Sequence, residues 1–259
     1  MRLRIVLLAI VALALAAPAA PAAVVQYQYG AIDHGMAITG SDQHLPPLAA
    51  PAAYMVPQTL GPSVVALRQS GGYTADIRDT VAQARVYLDR WLDQRCGPHA
   101  SVAKVQRCHA MIVSDIDDTI VSWYPFYRQE TVDWQYLPAA EAVWMANCTN
   151  PAIAQTVALL KHAHARGVEL AMITGRKVPD RAATATCLAR LGLGDYRYLI
   201  LRTPAEYDLT AAVYKAQRRQ LLERAGWQIA LSIGDQVSDM TGGYADHGFL
   251  LPNPMYFIP

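Results

Sequence analysis

From Cys108 onward, short apolar runs alternate with stretches whose apolar residues recur every three or four positions. The runs are Met111 to Val113, Val168 to Ile173, Tyr198 to Leu201, Gln228 to Ile233 and Phe249 to Leu251. Between them the pattern predicts three helices: from Pro151, with Asn150 as N-cap, to about Gly167; from Pro179 to Gly192; and from a cap at Thr210 to Gly226. Strands alternating with helices predict parallel strands joined by crossover helices, an α/β fold. Upstream, Ile77, Val81, Ala84, Leu88 and Trp91 fall at steps of four and three and form one face of a further helix.

The first 72 residues have a different pattern. Met1-Arg2-Leu3-Arg4 is followed by thirteen apolar residues, Ile5 to Ala17, and by two small-x-small sites at Ala17-Pro18-Ala19 and Ala20-Pro21-Ala22. This is the layout of a secretory signal peptide over residues 1–22. The run falls short of the roughly 20 apolar residues that span a bilayer, so no stable membrane anchor is expected. Residues 23–72 carry little charge or periodicity and five prolines from Pro46 to Pro62; they read as an arm that lies on the domain or stays mobile, closed by Gly71-Gly72. The remainder, 73–259, is one domain.

Composition narrows the function. Twenty-two basic against 21 acidic residues leave a net charge of +1, and loss of Arg2 and Arg4 makes it −1. Without a basic field, a nucleic-acid polymer is not an expected partner. Export to an oxidising compartment makes disulfides possible for Cys96, Cys108, Cys148 and Cys187. Of the three pairings, Cys96 with Cys108 and Cys148 with Cys187 is favoured, with free thiols as the alternative.

Ligands in a parallel sheet sit beyond the carboxyl ends of the strands, and there the polar residues collect. Asp115, Asp117 and Thr119 follow the first run, Thr174, Gly175 and Arg176 the second, Asp235 and Asp239 the fourth. Asp115 and Asp117, two apart at a strand end, point to the same side, whereas alternation turns Asp118 away. Three or four carboxylates in one place repel unless a cation neutralises them. A hard divalent ion with oxygen ligands, Mg²⁺ above all, suits them, and it characteristically shares its shell with a substrate phosphate.

The order strand-DxDxT, strand-TGR, a helix-borne lysine and strand-GDxxxD resembles the haloacid dehalogenase (HAD) superfamily of phosphohydrolases. The stretch from Thr210 to Met240 and the carboxyl-terminal LPNPMYFIP resemble its secreted acid phosphatases, the group that includes plant vegetative storage proteins. The resemblance implies a Rossmann-like three-layer α/β/α fold with a small cap inserted at about residues 120–150. It also implies a phosphomonoesterase acting on small phosphate monoesters. In that scheme Asp115 is the nucleophile, forming an aspartyl-phosphate, and Asp117 is the general acid and base. Thr174, Gly175 and Lys215 hold the phosphate. Asp115, the Asp117 main-chain carbonyl and Asp235 hold Mg²⁺, while Asp239 either positions Lys215 or binds a metal water. Lys177 is the fallback for Lys215; Arg176 either reaches substrate or pairs with an acid.

The segment between the first two motifs is rich in aromatics: Trp123, Tyr124, Phe126, Tyr127, Trp134, Tyr136 and Trp144 are seven of the chain's 22. Most are expected to form the core of the cap, with Trp123, Tyr124 and Tyr127 the ones to face substrate. About 50 residues between motifs exclude a large lid. Two rival readings remain open: a phosphotransferase using the same intermediate, and a storage or binding protein without turnover. Asp115 and Asp117 are both present, which weighs against the second.

Overall fold

Each apolar run after Cys108 is a strand in the computed structural model, which describes residues 32–33, 36–46, 48 and 52–259. These are β4 (Ala110–Ser114), β5 (Glu169–Lys177), β6 (Tyr198–Arg202), β7 (Gln228–Gly234) and β8 (His247–Leu250), following three short strands, β1 (Ile32–Asp33), β2 (Met36–Gly40) and β3 (Tyr54–Met55). The sheet order is β1-β2-β8-β7-β4-β5-β6, parallel throughout except that β1 is antiparallel to β2. A β9 (Tyr256–Phe257) pairs separately with β3.

Central strands are buried on both faces, which is why they read as unbroken apolar runs. Ile112, Leu170 and Met172 pack with helices α2 (Gly72–Arg95), α6 (Ala154–Ala165) and α7 (Arg181–Arg190) on one face. Their neighbours Met111, Val113, Ala171 and Ile173 pack with Tyr214 and Leu222 of α8 (Ala211–Arg224) on the other. Helices on both faces of a parallel sheet make the three-layer α/β/α fold anticipated above; the shorter helices are α3 (Val102–Arg107) and, within the inserted segment, α4 (Tyr124–Tyr127) and α5 (Pro138–Asn147).

The predicted stripe on α2 is buried, and Thr210 caps α8 by accepting from the Val213 N–H at 3.3 Å. Two expectations need correction. The helix placed from Pro151 begins at Ala154, and Asn150 does not cap it: its side chain donates to the Ser122 carbonyl at 3.2 Å. Part of the arm expected over residues 23–72 is built into the fold. Met36–Gly40 lies beside β8, Tyr54–Met55 beside β9, and α1 (Gly61–Gln69) packs Val64 among the aromatics of the inserted segment. Gly71, at φ 81°, turns the chain from α1 into α2, whose first residue is Gly72, so the pair is not an edge of the fold.

The signal-peptide segment, 1–22, lies outside the described residues. Among those described, no helix is long and apolar enough to cross a membrane. Cys148 and Cys187 form a disulfide that ties the inserted segment to α7. Cys96 and Cys108 are free thiols held side by side, with burial and its neighbour pushing Cys96 up to about 12.

Candidate active site

The first strand end fixes Asp115 by backbone: its N–H donates to the Ile233 carbonyl of β7 at 3.0 Å, so β4 and β7 present their acids together. One carboxylate oxygen each of Asp115, Asp235 and Asp239 lies within 4.8 Å of the others, all three residues buried. Lys215, from the first turns of α8, enters this cluster, donating to Asp115 at 2.9 Å and also to Asp239. Burial pushes Asp115 above the usual carboxylate range, Lys215 opposes that rise, and the neighbouring acids add to it. Lys215 itself is raised, its burial outweighed by the two carboxylates.

Two features of α8 and β7 make this floor possible. Arg219, one turn beyond Lys215 and fully buried, donates to the carbonyls of Asp239 at 2.6 Å, Gly243 at 2.7 Å and Thr241 at 2.5 Å, fixing the loop that carries Asp239. Gly234 is required before Asp235 because a Cβ there would run into the Asp239 carboxyl.

Asp117 lies across the cluster and is held by cations and donors of its own. Arg176 grips it as a fork, Nη2 to Oδ1 at 2.7 Å and Nε to Oδ2 at 3.0 Å, and the Trp123 indole N–H donates to Oδ1 at 2.6 Å. Burial would raise Asp117, but the Arg176 charge, its hydrogen bonds and Trp123 bring it below the ordinary value. Arg176 therefore pairs with an acid, one of its two anticipated roles, and its Nη1 is anchored on Thr184 Oγ1 at 3.1 Å.

The other anticipated residues are distributed as follows. Thr174 is buried and its hydroxyl accepts from the Arg176 N–H at 3.2 Å, while Gly175 is exposed with open space beside its Cα. Lys177 is exposed, its ammonium 4.8 Å from the Tyr207 ring centroid, and no contact joins it to the carboxylates. Tyr127 donates to Glu141 at 3.2 Å. Tyr124 lies beneath the Arg68 guanidinium, in a cleft with Tyr73 and Pro151, so it is not brought to the carboxylates. Asp118 is fully buried, in the left-handed region at φ 50°, with its carboxylate taken up by the Trp123 N–H, the Ser122 hydroxyl and Tyr256 OH.

Several partners were not anticipated. Asn253 donates to Asp235 Oδ2 at 2.6 Å, and Gln236 Nε2 does so at 2.9 Å; Thr119 donates to Oδ1 at 3.1 Å. Asn253 belongs to the carboxyl-terminal LPNP stretch, whose placement beside β7 no local pattern announces.

Four carboxylates, Asp115, Asp117, Asp235 and Asp239, meet two cations, Lys215 and Arg176, which leaves two negative charges. Asp235 receives only neutral donors, and burial with the adjacent Asp239 pushes it up to about 7. An all-oxygen, net-negative, buried donor set of this kind fits a hard divalent cation.

The family model for the HAD superfamily, subfamily IIIB (acid phosphatase), matches residues 42–259. Acid phosphatase 1 of Solanum lycopersicum is 32% identical over 148 residues, 56% of this chain and 58% of that one. Vegetative storage protein 1 of Arabidopsis thaliana is 30% identical over 149 residues, 57% and 55% respectively. The chain thus spans under three fifths of the length of the curated relatives it matches. In fold it is similar to the class C acid phosphatase of Bacillus anthracis with tungstate bound, with TM-score 0.61 and 21% identity over 78% of this chain and 87% of that one.

Proposed function

The chain belongs to the HAD superfamily, subfamily IIIB, of acid phosphatases, and from that premise we propose that it is a phosphomonoesterase working through an aspartyl-phosphate on Asp115. The observation that carries the reading is Asp115 itself: a buried carboxylate at a strand end, hydrogen-bonded to Lys215 at 2.9 Å and clustered with Asp235 and Asp239. In the first step an Asp115 oxygen forms a bond to phosphorus as the bond to the leaving oxygen breaks, and Asp117, in its carboxylic acid form, protonates that oxygen. In the second step the Asp117 carboxylate takes a proton from water, whose oxygen bonds to phosphorus as the bond between phosphorus and the Asp115 oxygen breaks. Inorganic phosphate is released and Asp115 regenerated.

Phosphate oxygens are held by the Thr174 hydroxyl, the Gly175 N–H and the Lys215 ammonium, donors directed at charge that grows in the transition state. Asp115, the Asp117 main-chain carbonyl and Asp235 would hold Mg²⁺, which when bound supplies the positive charge that lets an anionic nucleophile meet an anionic ester. Asp239, with one oxygen engaged by Lys215 and the other accepting from the Gln236 N–H at 2.9 Å, serves as the lysine's anchor.

Arg176 gives the reaction its pH dependence. Because it holds Asp117 below the ordinary carboxylate value, the acid form needed in the first step grows scarcer as pH rises. Esters with poor leaving groups therefore turn over best in acid.

The open space at Gly175 and the short inserted segment suit varied small monoesters. Export after removal of residues 1–22 is consistent with the Cys148–Cys187 disulfide, a bond at home in an oxidising compartment.

The test is hydrolysis of an aryl phosphate across pH 4 to 8 by the mature chain, with Mg²⁺ or with chelator, beside Asp115→Asn. The expected result is turnover that needs both the metal and Asp115, lost by at least about a thousandfold in the near-isosteric variant. Substantial turnover by Asp115→Asn would remove the nucleophile assignment.

A further inference from the structure

Asp117 is held by Trp123, and Trp123 is held from a distance. Its backbone N–H donates to Asp118 Oδ1 at 2.9 Å, and the same oxygen accepts from the Ser122 hydroxyl at 3.2 Å. Asp118 is fully buried, and Tyr256 OH occupies its other oxygen at 2.9 Å. The positive charge facing this buried acid is that of Arg68, whose Nη2 donates to the Ser122 hydroxyl at 3.0 Å. The guanidinium is clamped between two rings, 3.4 Å from the Tyr73 centroid and 4.4 Å from that of Tyr124. A continuous set of contacts thus runs from α1 to the Asp117 carboxylate.

We propose that Arg68 is a positioning residue for the proton-transfer group Asp117, acting through Ser122 and Asp118 to fix Trp123, whose indole N–H selects which Asp117 oxygen carries the proton. The proposal rests on the acid-base role given to Asp117 above.

The oxygen bookkeeping shows why the indole matters. Oδ1 accepts from Arg176 Nη2, from Trp123 and more distantly from Arg176 Nε at 3.3 Å, whereas Oδ2 accepts only from Arg176 Nε at 3.0 Å. With Oδ1 saturated, the proton delivered to the leaving oxygen resides on Oδ2. A single proton site keeps the acid aimed one way. If Trp123 shifts, each oxygen is left with one close Arg176 donor, the proton is shared between the two oxygens, and one of them is misdirected.

Trp123 follows a left-handed residue in a tight loop, Asp118 donating its N–H to the Val121 carbonyl at 2.7 Å. Its position is therefore set by that loop, and Arg68 reaches the loop's buried acid through the Ser122 hydroxyl. Helix α1 comes before β4 and every later strand in the chain, yet it fixes a catalytic group.

The readout is leaving-group dependence, because a proton donor matters most for poor leaving groups. kcat/KM, which reports the first displacement, is measured for p-nitrophenyl phosphate, phenyl phosphate and glycerol 2-phosphate with Mg²⁺ present. The variants are Asp117→Asn, Trp123→Phe, Arg68→Met, Arg68→Lys and Ser122→Ala. Asp117→Asn should show the steepest dependence. Trp123→Phe should slow the alkyl ester about tenfold more than the nitrophenyl ester. Arg68→Met should show the same tilt at about threefold, and Arg68→Lys, which keeps the charge, should recover part of it.

Ser122→Ala keeps Arg68 and both rings beside it while removing the hydroxyl that joins Arg68 to Asp118, together with the 3.3 Å bond that hydroxyl accepts from the Tyr124 N–H, so its tilt tests the same connection if Arg68→Met does not fold. Uniform slowing of all three esters by Arg68→Met and Ser122→Ala, or no slowing, beside a tilted Trp123→Phe, overturns the role of Arg68. A flat series for Asp117→Asn would instead remove the acid, and the proposal with it.

Discussion

Asp117 and Asp235 stand at neighbouring strand ends, the first partly and the second fully withdrawn from bulk water, and they are surrounded in opposite ways. Asp117 meets a guanidinium fork and an indole N–H, and is held below its ordinary pKa. Asp235 meets two amides and a hydroxyl, and is pushed up to about 7. The Asp117 side is electrically complete within the chain. The Asp235 side, with Asp115 and Asp239 sharing Lys215, is short of positive charge. In the mechanism proposed above, the acid supplied with charge moves the proton, and the acids left short of it receive the cation.

The largest effect should come from deepening that shortage. Lys215 is buried and contacts both Asp115 and Asp239, so Lys215→Met leaves three clustered acids with no cation. In metal-free protein it should cost about 3–5 kcal/mol in urea unfolding, the usual consequence of removing one partner from a buried ion pair. The matching Arg176→Met should cost less, because the Asp117 side chain is 24% exposed and water can replace the fork. Equal losses would mean that the two sides do not differ as described.

Supplying the missing charge comes next. Metal-free wild type should gain about 2.7 kcal/mol at a Mg²⁺ concentration a hundred times its Kd, read as a rise in Tm. In Asp235→Asn the midpoint of that rise should move to much higher Mg²⁺. An unshifted midpoint would place the ion elsewhere.

The asymmetry between the two sides also decides what the sequence could reveal. Asp115, Asp117, Thr174 and Asp235 were legible because parallel strands bring their ends to one edge, so residues just after each apolar run meet regardless of loop detail. Lys215 was legible because its helix starts at that edge. Asn253, Trp123 as a donor to Asp117, and Arg68 were not, since their partners depend on where separate segments come to rest: Arg68 and Ser122 are 54 positions apart. The same limit hid β2, a five-residue strand in a proline-rich stretch whose burial pattern has no regular alternation. It also misassigned Asn150, where a local cap and a distant carbonyl competed for one amide and the carbonyl won.

A smaller change probes how tightly the uncompensated side is built. Gly234→Ala puts a methyl against the Asp239 carboxyl, and the carboxyl, tied to Lys215 and to Gln236, has little room to retreat. The expected loss is about 1–3 kcal/mol, typical of overpacking in a filled interior, seen as a lower urea midpoint at unchanged slope. A neutral outcome would show that Asp239 moves freely, and its part in anchoring Lys215 would be lost.

The mildest probe is pH, and here the two kinds of acid should separate cleanly. Burial raises Asp118 to about 6 and Asp235 and the half-buried Glu141 to about 7, all above the unfolded values near 4. Between pH 5 and 8 these three acids therefore keep protons that the unfolded chain has released and pull stability down as pH rises through 6 to 7; buried His44, lowered to about 3, works the other way, and the three acids outweigh it. Asp117 shifts the other way, so its contribution is already complete above pH 5 and adds no slope. Metal-free Tm should be about 2–4 °C higher at pH 5 than at pH 8, the shift of roughly 1 kcal/mol for a chain of this size. With Mg²⁺ the difference should shrink, because a bound cation favours ionised Asp235 at every pH in the window. A metal-free Tm that rose from pH 5 to 8 would mean that these acids are compensated after all, and that the contrast with Asp117 is one of geometry and not of charge.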